Sequence, residues 1–117
     1  MASDEHARGV VIARRWLLDE GYTPEPVPKT GRHRADDYGE MHVHEPGRVV
    51  VRKRLVEVET SRSVLGREAK EQMAEFAKWA SEFDTREAVV FVPAGSLDDA
   101  RVELHAYDVY VEFAVGE

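Results

Sequence analysis

Apolar residues recur at helical spacing from Ala7 through Val10, Val11, Ala13, Leu17 and Leu18, and the pattern stops at Gly21. With Ser3 as N-cap and Asp4 and Glu5 in the first turn, this stretch predicts an amphipathic helix. Pro24, Pro26 and Pro28 then alternate, which permits an extended edge segment but not a central strand. Asp37 to His44 reads as a strand, Glu45-Pro46-Gly47-Arg48 as a turn, and Val49 to Thr60 as a second strand, most simply joined to the first as a hairpin. Leu65, Ala69, Gln72, Met73, Phe76, Ala80 and Phe83 fall on one stripe and predict a helix over 64–83 that packs on the sheet. Ala88 to Pro93 is a continuous apolar run, the mark of a strand buried on both faces, usually beside a parallel neighbour. A short helix opening at Ser96 and a last strand on which Val109, Val111, Phe113 and Val115 alternate complete the order.

The chain has 117 residues, 43% of them hydrophobic, which suits a single domain spanning 1–117. It has no cysteine, so disulfides and thiolate metal sites are excluded. No long apolar run is present, and a soluble, cytoplasmic protein without a membrane span is the expectation. The net charge of -7 argues against nucleic-acid binding until its distribution is considered. Between Lys29 and Lys70 ten bases face seven acids, so an acidic body carries a locally basic segment. The competing reading makes these bases ordinary solvated strand ends.

Val56-Glu57-Val58-Glu59-Thr60 is where chemistry enters. On a strand Glu57 and Glu59 share one face, roughly 7 Å apart, and their repulsion calls for a positive partner. Asp36, just where the preceding strand begins, offers a third carboxylate, and three such groups make a hard oxygen site for Mg²⁺ or Mn²⁺. The bland alternative pairs both glutamates with Arg52 or Arg54 across the hairpin. Asp37 competes with Asp36, although Gly39, Met41 and Val43 share its face and look core-directed. Gln72, polar on an apolar stripe, needs partners if it is buried. His42 and His44 share a face without a third ligand nearby and read as half-exposed strand residues. No serine or cysteine triad, P-loop or Rossmann glycine pattern occurs.

This order of elements, with these acids on it, resembles the PD-(D/E)XK nuclease superfamily. Arg34-Ala35-Asp36 resembles the Arg-Pro-Asp of its second strand, Glu57-Val58-Glu59 its Glu-x-Lys, and Gln72-Met73-Ala74-Glu75-Phe76 its Gln-x-x-x-Tyr element. Glu5 resembles the acid that resolvase-like members carry on the first helix. The resemblance implies an α/β, restriction-endonuclease-like αβββαβ core with a central mixed sheet flanked by helices. It implies Asp36, Glu57, Glu59 and Glu5 as metal ligands and Asp36, Glu57, Glu59, Gln72 and Lys70 as catalytic groups, with Lys70 or Lys53 supplying the charge that Glu59 cannot. The activity implied is Mg²⁺- or Mn²⁺-dependent DNA endonuclease, acting as a homodimer on branched or otherwise structured DNA. The alternative is a catalytically inactive relative that binds DNA or protein.

Overall fold

The computed structural model describes residues 4–104 and 110–113. Helix α1 (Asp4–Asp19) is followed by strands β1 (Thr23–Pro24), β2 (Asp37–Glu45) and β3 (Arg48–Val58), a 3₁₀ turn at Ser63–Leu65, helix α2 (Arg67–Ser81), strand β4 (Arg86–Pro93), helix α3 (Leu97–Glu103) and strand β5 (Tyr110–Phe113). Four main strands and the two-residue β1 make one mixed sheet in the order β1-β2-β3-β4-β5. The first two pairings are antiparallel and the last two parallel. Ser3, Val109 and Val115, which figured in the expected cap and last strand, lie outside the described residues.

The sheet is covered on both sides. Alternation along β3 sends Val56 and Val58 to one face, where they pack with Ala13 and Leu17 of α1 and Phe91 of β4. It sends Leu55 to the other face, where Met73, Phe76 and Trp79 of α2 meet Ala88, Val90 and Val92 of β4. The continuous apolar run of β4 thus serves both layers. The β2-β3 hairpin closes at Glu45 and Arg48 through Pro46-Gly47, with Gly47 supplying the positive φ of 81° that the turn requires. Thr23-Pro24 forms the edge strand, where the missing proline N–H costs no ladder bond.

Three details depart from the periodicity. The second helix starts at Arg67 rather than at 64, because Gly66 adopts an extended conformation after the 3₁₀ turn and breaks the repeat. Leu65 is therefore off the stripe and 51% exposed, while Trp79 closes the core and is 8% exposed. Phe83 lies past the helix end, where the Arg86 guanidinium stacks on its ring. On α1 the buried stripe is Gly9, Ala13 and Leu17, leaving Val11 and Leu18 exposed. No helix among the described residues is long and apolar enough to cross a membrane.

Candidate active site

Antiparallel pairing of Asp37 with Val56 sets the entry of β2 beside the C-terminal end of β3. Asp36, one residue before β2, uses this position to accept the Val58 N–H at 2.7 Å through Oδ2. The same oxygen lies 3.3 Å from Nε2 of His6, on the first turn of α1. Asp37 points elsewhere and is buried in a two-pronged pair with Arg14, at 2.8 and 2.9 Å. Of the two neighbouring acids, Asp36 faces the cleft and Asp37 fastens β2 to α1.

Glu57 and Glu59 lie on the α2 side of β3 and its extension, and both are 5% exposed. Glu59 continues the parallel ladder, its N–H donating to the Phe91 carbonyl at 3.0 Å. Gln72, on α2, turns its NH₂ toward the sheet and donates to Glu57 Oε2 at 2.8 Å and Glu59 Oε1 at 3.0 Å. The reverse orientation would set its oxygen against two acceptors. Ser63 donates its hydroxyl to Glu59 Oε2 at 2.5 Å. Glu57 Oε1 is buried and has no hydrogen-bond partner among the described residues. Neither glutamate pairs with Arg52 or Arg54. Arg54 instead bonds Glu87 and Glu20 and sits over the rings of Trp16 and Tyr22.

Burial is the main force on these acids. It pushes the Glu57 carboxyl up to about 11, with the nearby charge of Asp36 adding to the shift. It raises Glu59 as well, against the opposing hydrogen bond from Ser63. Asp36 and Glu59 are both close enough to Glu57 to disfavour its charge, so the three carboxyls form one electrostatic unit.

The cleft they line has a volume of about 450 Å³ and also takes in His6, Arg34, Ser63 and Gln72. Asp36, Glu57, Glu59 and Gln72 are thus brought together. Glu5 is not part of the lining: its carboxylate accepts the Ser61 N–H at 2.7 Å and braces the loop after β3. Lys70 reaches away to pair with Glu103 of α3 at 2.9 Å. Lys53 stands opposite Glu40 of β2 and Arg86 of β4 in the sheet register, well before the cleft end of β3. His42 and His44 are exposed on β2.

Sequence reading overlooked His6 and Ser63, and took Arg34 only as one of the central bases that could hold phosphates. The buried stripe of α1, extended one turn back from Gly9, reaches His6 and Glu5, which is the signal that was present for His6. Ser63 depends on the tight turn after β3, and no periodicity announces it.

The donor set fits a hard divalent cation in its chemistry. It offers carboxylate oxygens, one of them buried without a donor, in a place where a positive charge would offset the cost of burying acids. Among the described residues, no three His, Cys, Asp or Glu side chains stand as a ready-made metal cluster. Asp36 is engaged by Val58 and His6, and Glu59 by Ser63 and Gln72, so ligation would exchange these bonds for bonds to the ion. No family model, curated protein or solved structure matches this chain.

Proposed function

We propose that this chain is a divalent-metal-dependent DNA endonuclease of restriction-endonuclease-like fold, acting as a homodimer on branched or otherwise structured DNA. The observation that carries the reading is the buried carboxyl of Glu57, its Oε1 without a donor, between Asp36 and Glu59 at the mouth of a 450 Å³ cleft. The order helix, three strands, helix, strand supports it, as does the reach of Gln72 from α2 to both glutamates. Asp36 and Glu57 would hold Mg²⁺ or Mn²⁺, with Glu59 as a further ligand. Such an ion neutralises charge on a scissile phosphate and acidifies a water.

The chain's own groups then divide the remaining work. Gln72 fixes the orientation of Glu57 and Glu59, because one NH₂ group bridges both. His6, at 3.3 Å from Asp36, is placed to exchange a proton at the edge of the cleft. Arg34 is exposed at the rim and forms no ion pair with a described residue, so its guanidinium is available to a phosphate oxygen. It supplies the positive charge that Lys70, tied to Glu103, does not bring.

One observation favours a second reading, a fold that binds DNA without cutting it. Glu59 replaces the lysine of the resembled motif and is held by Ser63 and Gln72. Incubation of the purified protein with branched, nicked and linear DNA and Mg²⁺ or Mn²⁺ decides between them. Cleavage that falls to background in Asp36→Asn and Glu57→Gln is expected. Binding without cleavage of any substrate would favour the second reading, and absence of both cleavage and metal binding would overturn the first.

A further inference from the structure

The loop leading into β2 is rigidly held and basic. Glu75 of α2 reaches under it and accepts the Thr30 hydroxyl at 2.6 Å, the Arg32 N–H at 2.8 Å and the His33 N–H at 3.0 Å. The fit is close: a Cβ on Gly31 would stand 2.7 Å from Glu75 Oε1, so a side chain there would push the carboxylate off its backbone donors. With its backbone fastened this way, the loop turns Lys29, Arg32 and Arg34 outward, all three exposed. None of them forms an ion pair with a described residue. Arg14, Arg48, Arg54 and Lys70, by contrast, are held by Asp37, Glu45, Glu87 and Glu103.

Position adds to this. Lys29, Arg32 and Arg34 line a cleft of about 300 Å³, and Arg34 also lines the carboxylate cleft, so the two lie side by side and share that side chain. Glu75, the acid under the loop, spends its charge on loop donors and is 17% exposed. On a chain of net charge -7, three exposed cations without ion pairs to described residues, set beside the carboxylates, give a polyanion a place to settle at the entrance to the cleft.

We infer that the loop 29–34 is a clamp for the DNA sugar-phosphate backbone, in which Lys29, Arg32 and Arg34 grip phosphates and lead the strand to Asp36 and Glu57. The inference rests on the reading of the cleft as a DNA-cleaving site, but its test does not need cleavage.

Binding of fluorescently labelled duplex DNA is measured by anisotropy across a salt series, in EDTA and again in Ca²⁺. The wild type is compared with Lys29→Ala/Arg32→Ala/Arg34→Ala and with Arg52→Ala, an exposed residue in the middle of β3 that lines neither cleft. The triple variant is expected to bind about tenfold or more weakly, and its slope of log affinity against log salt to flatten by about 2 to 3, since each phosphate contact contributes about 0.9. Arg52→Ala is expected to bind as the wild type does. All three side chains are exposed, so circular dichroism is expected to show an unchanged fold. Equal affinity in the triple variant, an equal loss in Arg52→Ala, or no binding by the wild type in either condition would overturn the clamp. Loop-dependent binding without cleavage of any DNA would leave the clamp standing and remove the nuclease reading.

Discussion

Glu57 combines 5% exposure, a neighbouring Asp36 and one oxygen without a donor, and each of these works against an ionised carboxylate. Glu57→Gln keeps the shape and removes the need to protonate this carboxyl on folding, since burial holds it neutral at a pH where the unfolded chain ionises it. In EDTA near neutral pH we expect this variant to unfold at a higher temperature than the wild type, with a gain of about 1–3 kcal/mol that disappears as pH falls below 4.5. A lower melting temperature would mean that Glu57 is satisfied in a way the geometry does not show. At this scale the sequence was legible where a strand dictates orientation: alternation placed Glu57 and Glu59 on one face and Val56 and Val58 on the other. It favoured Asp36 over Asp37 only through the Arg-x-Asp resemblance, because the partner that draws Asp37 away is Arg14 of α1, 23 residues distant in the chain. The same holds for Ser63 and His6, whose roles arise only once loops and helices have been placed.

Elements with strong periodicity were read well, and their ends were not. β2, the hairpin, β3 and β4 follow from alternation, turn residues and an apolar run. The start of α2 was misplaced because Leu65 fits the helical spacing, and only the extended Gly66 reveals that the chain makes a separate 3₁₀ turn there. Glu75 shows how an element positions a loop at long range. Burial raises its carboxyl, but bonds from Thr30, His33 and Arg32 outweigh burial and hold it below the usual carboxylate range. A group whose folded value is lowered stabilises the protein above its unfolded value of 4.5, and this contribution is lost as pH falls below that toward the folded value. We therefore expect Glu75→Gln to cost about 1–3 kcal/mol at neutral pH, and the gap from wild type to narrow on acidification below 4.5. Urea denaturation at both ends of that range measures it. A gap independent of pH would show that the Glu75 charge does not hold the loop.

Across the whole molecule, the two ends of the sheet differ in electrostatic character. At the N-terminal end of β4, Arg54 and Arg86 are stacked on aromatic rings and paired with Glu87, Glu20 and Glu82, so charge is balanced within the fold. At the C-terminal end of β3, three acids crowd one cleft beside a loop whose cations form no ion pair with a described residue. The basic central segment seen in the sequence is therefore not one face. Arg48, Arg54 and Lys70 are held in ion pairs, while Lys29, Arg32 and Arg34 stand together at the cleft beside the acids. The central claim is that Asp36, Glu57 and Glu59 form a divalent-cation site, and titration calorimetry with Mn²⁺ tests it most directly. Wild-type protein is predicted to bind Mn²⁺ saturably, and folded Glu57→Gln to give no heat beyond dilution. Absence of binding by the wild type, or an unchanged isotherm in Glu57→Gln, would contradict it.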